Sequence, residues 1–121
     1  MHQPVPSLRW YDVPDPASSD LDQLAKQFTL HELDIEDCRH QPQRAKEEEH
    51  ENYVFCIVKR IHMTTGLHFR DMGIFLGRDF LITVHTGEND LIARVAKKAA
   101  DESDTRLDRI FYNIVDAIVD E

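Results

Sequence analysis

The stretch that decides the fold is residues 53–63, "YVFCIVKRIHM", together with the two that follow it, 67–77, "LHFRDMGIFLG", and 80–86, "FLITVHT". All three are rich in β-branched and aromatic residues, and the turn-forming "TTG" and "GRD" separate them, so they predict three strands in an antiparallel meander. Within them the runs "VFCIV", "GIFL" and "FLITV" are apolar at consecutive positions rather than at alternate ones. A strand with that pattern has both faces covered. Helices are therefore expected on both sides of the sheet.

The flanking sequence supplies them. Upstream, "LRWYDV" reads as a short strand. After it, "PDPASSDLDQLAKQF" places Leu21, Leu24, Ala25 and Phe28 on one stripe, with Asp15 as a cap and Pro16 in the first turn, predicting a helix over 16–28. "TLHELDIEDC" predicts a second, shorter helix with Leu30, Leu33 and Ile35 turned inward and Glu32, Glu36 and Asp37 more exposed. "RHQPQRAKEEEHEN" is the most polar part of the chain; Pro42 breaks any helix there, leaving a loop or an edge strand. Downstream, "ENDLIARVAKKAAD" aligns Leu91, Ile92, Val95 and Ala99, and a further helical stripe runs from Thr105 to the end. That last stripe is still running at Glu121 with no stop signal after it, which fits either a frayed tail or a helix cut out of a longer chain. The order of strand, two helices, strands and two helices predicts an α+β fold. It is a three-layer α/β/α domain with an antiparallel-rich mixed sheet between helices, spanning residues 1–121 as one unit.

Composition narrows the function. The 14 basic and 23 acidic residues leave a formal charge of -9, which argues against nucleic acid or an anionic membrane as partner and favours cations. No apolar run approaches the ~20 residues that span a bilayer. The two cysteines, Cys38 and Cys56, have no CxxC spacing; Cys56 reads as a small core residue, and the acids beside Cys38 raise its thiol pKa. No nucleophile motif or phosphate-cradling glycine loop is present, and the expectation is that the chain is not an enzyme.

The densest chemistry is "HELDIEDCRH", residues 31–40. His31 and His40 are nine apart, about 180° around a helix, which disfavours a transition-metal site built from this segment alone. Glu36 and Asp37 are a better candidate, because hydrated Mg2+ needs only one or two carboxylates plus water, although adjacent acids on a helix are also ordinary solvated surface. "KEEEHE" reads as a solvated run able to collect cations loosely.

Taken together, "FTLHELDIEDC", "QRAKEEEHENYVF", "GIFLGRDFLITVH" and "RIFYNIVDAIVDE", with "WYDVPDP" as a weaker fifth, resemble in order and spacing the soluble N-terminal domain of CorA-type magnesium and cobalt transporters. The resemblance covers roughly residues 10 to 121. It implies a cytoplasmic metal-sensing domain at the inner face of the cell membrane, cut before a stalk helix and two transmembrane segments, in a homopentamer. It further implies that Asp37 faces a stalk carboxylate of the neighbouring protomer across a Mg2+ ion, and that Glu36 and Asp116 contribute to a second cation position, with the three lying close in the fold. Co2+ or Zn2+ are alternative ions, since the related ZntB branch shares the layout. A free-standing acidic interaction module is the alternative from another class. One departure from the family pattern is local: Ala45, Glu47, Glu48, Glu49 and His50 stand where proline and apolar or aromatic residues are usual, which argues against a buried strand there.

Overall fold

The computed structural model describes residues 3–40, 43–63, 67–87, 90–102 and 106–119. A five-stranded sheet forms its middle. In chain order the elements are β1 (Trp10–Val13), α1 (Ser19–Phe28), α2 (Glu32–Arg39), β2 (Lys46–Glu49), β3 (Tyr53–Met63), β4 (Leu67–Gly77), β5 (Leu81–Val84), α3 (Asp90–Ala100) and α4 (Leu107–Val119). The strand order is β1-β5-β4-β3-β2. β1 runs parallel to β5 and the other pairings are antiparallel, so the sheet is mixed and antiparallel-rich as expected. The "TTG" turn lies outside the described residues.

The consecutive apolar runs divide between two cores because successive strand side chains point to opposite faces. Phe55, Ile57, Phe75, Ile82 and Val84 meet Leu21 and Leu24 of α1 and Ile35 and Cys38 of α2. Cys56, Met72, Ile74 and Leu81 meet Leu91, Ile92 and Val95 of α3 and Ile110 and Ile114 of α4. Each face thus carries one helical pair, which gives the three layers.

Several boundaries differ from the sequence expectation. α1 begins at Ser19, not residue 16, because Ser18 is the N-cap and accepts from the Asp20 N–H, while Asp15 accepts from the Ala17 N–H in a preceding turn. α1 ends on Thr29, held in the left-handed region at φ 55°, which reverses the chain into α2. In α2 the inward positions are Asp34, Ile35 and Cys38, and Leu33 is 61% exposed. The acidic stretch after Pro42, which the sequence left open as a loop or an edge strand, is an edge strand. Lys46 and Glu48 pair opposite Ile57 and Phe55 and turn toward α2, while Glu47 and Glu49 are exposed on the other face.

Two contacts fix the α1/α2 layer. Gly73 of β4 lies so close beneath α2 that an added Cβ would sit 2.6 Å from Cys38 Sγ, so the missing side chain lets the helix settle onto the sheet. Arg39 donates from Nε to the Pro16 carbonyl at 2.8 Å and pairs with Asp22 at 3.1 Å, tying the end of α2 to the start of α1.

At the parallel edge, Trp10 Nε1 donates to Thr83 Oγ1 (3.1 Å) and that hydroxyl donates to Asp12 (2.6 Å). His85 Nε2 lies 2.9 Å from both Asp12 oxygens. All four residues are buried. The arrangement pairs Asp12, Thr83 and the Trp10 indole inside the sheet, leaving His85 Nδ1 buried without a hydrogen-bond partner, and locks β1 onto β5; no side chain in it is presented to solvent.

Candidate functional site

The three carboxylates singled out in the sequence are not brought together within the chain. Glu36 and Asp37 lie on α2, whose core residues pack on one face of the sheet, and Asp116 lies on α4, packed on the other. The expectation that they lie close in the fold is therefore corrected, because the sheet separates the two helical layers. Glu36 is exposed and lines a groove with Asp22, Leu30, Ile35 and Arg39. Asp116 is exposed beside Lys98, Arg109, Tyr112 and Asn113.

Asp37 is less open than a surface acid of a helix usually is. Its side chain is 23% exposed and forms an ion pair with Lys46 of β2, which also reaches Glu48 Oε1 at 3.2 Å. The hydrogen bond to Asp37, more than any other influence, pushes the Lys46 ammonium above its ordinary range. A cation arriving at Asp37 must compete with that ammonium.

The edge strand and α2 meet at a second group of polar side chains. Asp34 points into the layer between α2 and the sheet and is 1% exposed. Its Oδ2 accepts from the Tyr53 hydroxyl at 2.7 Å and lies 2.8 Å from His50 Nε2. That nitrogen is in turn 3.7 Å from Glu48 Oε2. The same Tyr53 hydroxyl accepts from the His31 N–H at 2.8 Å. The His50 ring sits between two others, 4.7 Å from Tyr53 and 5.4 Å from His31, centroid to centroid. His31 is itself the N-cap of α2, its Nδ1 accepting from the Leu33 N–H. Burial raises the Asp34 carboxyl above the usual carboxylate range, and the hydrogen bond from Lys46 first of all lowers that of Glu48.

Of the carboxylates between 31 and 40, then, Asp34 is the one that joins a compact group with a histidine, and its partners come from β2, the turn after it and β3. The sequence did carry a signal for it. Leu30, Asp34 and Cys38 are spaced by four, so an acid falls on the buried stripe of a short helix. Cys38 shows the effect of the same burial: its thiol is pushed up to about 12, by desolvation first and then by the nearby charges of Asp34 and Asp37.

Among the described residues no helix is long and apolar enough to cross a membrane. Against known families, residues 6–121 match the one described as CorA-like Mg2+ transporter protein. The chain belongs to the CorA-like family. The Bacillus subtilis (strain 168) protein YfjQ, named as a candidate metal ion transporter, is 31% identical over 124 residues, covering 100% of this chain and 39% of its own length. The soluble domain of CorA from Methanocaldococcus jannaschii superimposes with a TM-score of 0.74 at 21% identity, over 92% of this chain and 46% of that one. The ZntB cytoplasmic domain from Vibrio parahaemolyticus gives 0.72 at 12% identity, over 90% and 46%. At these identities the superpositions speak for the fold, which is the CorA soluble-domain fold. This CorA-like chain thus spans well under half the length of the relative that it matches in sequence.

Proposed function

We propose that the chain is the cytoplasmic, cation-sensing domain of a divalent cation transporter for Mg2+ or Co2+, with its membrane-spanning part outside these 121 residues. The transporter family supports a non-enzymatic role. The observation that carries the sensing role is the division of acids between the two helical layers. Glu36 and Asp37 on one face and Asp116 on the other cannot share an ion inside one chain, yet Glu36 and Asp116 are exposed, and Asp37, partly exposed beside Lys46, lies next to Glu36, where a neighbouring protomer can meet them. Facing carboxylates repel until a divalent ion bridges them. Occupancy then biases the assembly, a homopentamer in this reading, toward its closed form. In the single chain the site is half-built, with at most two or three protein oxygens for an ion that takes six or more.

The test is a Mg2+ titration of the 121-residue chain followed by amide chemical shifts. Binding in the millimolar range or weaker, about 4 kcal/mol or less in magnitude, with shifts centred on Glu36 and Asp37, is the expected result. Micromolar binding, or shifts that ignore α2, overturns the reading.

A further inference from the structure

We infer that Asp34, Glu48 and His50 form a second, separate cation site, built within one chain and suited to a divalent first-row transition ion such as Zn2+ or Co2+. The site does not involve Glu36, Asp37 or Asp116, and it stands whether or not those residues sense Mg2+. One donor atom from each of the three residues lies within 4.8 Å of the other two. Around a tetrahedral ion with ligand distances near 2.0–2.2 Å, donor atoms stand about 3.3 to 3.6 Å apart; the His50–Asp34 and His50–Glu48 separations of 2.8 and 3.7 Å lie on either side of that spacing, so a modest adjustment seats an ion. Glu48, the most exposed of the three at 43%, has the freedom to supply it.

The bland alternative is a buried Asp–His ion pair, and the geometry argues against that as the whole account. His50 Nε2 is 2.8 Å from Asp34 Oδ2, yet it makes no aligned hydrogen bond, and it is shielded from solvent. Asp34 Oδ1 is likewise buried with no hydrogen-bond partner. An ion pair without an aligned hydrogen bond thus stands beside an unpartnered buried oxygen of the same carboxylate, and an unsatisfied buried oxygen costs free energy that a bound cation would recover. The surroundings hold the donors in position. Tyr53 fixes the Asp34 carboxylate through its hydroxyl, the rings of His31 and Tyr53 flank the imidazole, and Lys46 occupies Glu48 Oε1 while Oε2 faces His50. Supporting contacts of this kind orient ligands in established metal sites.

The donor set selects the ion. One imidazole nitrogen with two carboxylates suits Zn2+, Co2+ or Ni2+, whereas Mg2+ prefers oxygen ligands and keeps its waters. Because Asp34 and His50 come from α2 and the turn after β2, an ion here would clamp the edge strand to the helix that carries Asp37.

The experiment titrates the 121-residue chain with Zn2+ and Co2+, reading calorimetry, Co2+ absorption and the histidine side-chain nitrogen shifts. A single equivalent should bind, with the largest perturbation on the His50 ring, and millimolar Mg2+ should not displace it. His50→Phe keeps the ring stack and removes the nitrogen donor; it should weaken binding by about 100-fold, at or beyond the 10–100-fold that even supporting contacts are worth. Glu48→Gln, at a half-exposed position where the amide fits the same space, should weaken it at least about tenfold, and Glu49→Gln on the opposite face of β2 should leave it unchanged. Affinity that stays within about twofold in both His50→Phe and Glu48→Gln, a perturbation centred on another histidine, or no binding tighter than millimolar overturns the inference. Loss of the Mg2+ response at Glu36 and Asp37 with Zn2+ binding intact would refute the sensing role alone.

Discussion

Replacing Tyr53 by Phe removes one oxygen from the contact between α2 and the sheet and leaves the ring packing in place. That oxygen donates to buried Asp34 at 2.7 Å and accepts from the His31 N–H at 2.8 Å. The ring itself packs against Phe75, His50 and Phe80, all of which Phe would still meet. A hydrogen bond to a charged group contributes ~1.5–3 kcal/mol, and the backbone N–H, only partly buried, adds up to about 1 kcal/mol more. The expected loss is ~2–4 kcal/mol. With an unfolding entropy of roughly 250 cal/mol/K for a chain of this length, about 3 kcal/mol lowers Tm by ~12 °C. Urea unfolding should show the loss in the midpoint with the slope unchanged, since the native state stays as compact. Combining Tyr53→Phe with Asp34→Asn in a double-mutant cycle should return a coupling of ~1–2 kcal/mol. A loss below about 0.5 kcal/mol, with no coupling, would show that Asp34 is not held by this hydroxyl, and the description of the α2 contact would be wrong.

Other perturbations test separate features. Gly73→Ala places a methyl against Cys38 Sγ and should cost ~1–3 kcal/mol in urea unfolding, with Cys38→Ala recovering part of it; two independent, additive effects would refute the close approach. Thr29→Gly relieves a β-branched residue at φ 55° and should raise stability by about 0.5–1 kcal/mol, whereas a loss would mean that the threonine side chain has a role of its own. Glu49→Lys, on the exposed face of the edge strand, should change stability by no more than about 0.5 kcal/mol, and a change of several would place it in an ion pair. Cys38, buried and with its thiol near 12, should react with iodoacetamide at pH 8 only as fast as the domain opens, so labelling at the rate of a free thiol would contradict its burial.

The sheet and its two helical layers were legible because burial on both faces leaves an unbroken apolar run, and "VFCIV", "GIFL" and "FLITV" became the strands that feed both cores. Less legible were features set by contacts distant in sequence. The parallel pairing of β1 with β5 joins residues about seventy apart, and its polar lock of Asp12, Thr83 and His85 has no local signature. The acidic edge strand was ambiguous because its alternation is between charges: Lys46 and Glu48 face inward, Glu47 and Glu49 outward, and no apolar residue marks the inner side. Leu33 misled because leucine in a helix normally points inward, whereas here the buried stripe runs through Leu30, Asp34 and Cys38. For the same reason Glu36 and Asp37, adjacent acids in a recognisable phrase, stand out in the sequence and Asp34 does not. Its partners at positions 48, 50 and 53 become neighbours only when the edge strand closes on α2.

The central claim is that Asp37 answers to a divalent cation shared with a neighbouring protomer. Limited proteolysis of the longer, membrane-inserted protein that the proposed function calls for, with and without Mg2+, tests it most directly. Millimolar Mg2+ should slow cleavage several-fold in the parent protein, and Asp37→Ala should abolish that protection while leaving cleavage without Mg2+ unchanged. Equal protection by Mg2+ in the parent and in Asp37→Ala would contradict the account.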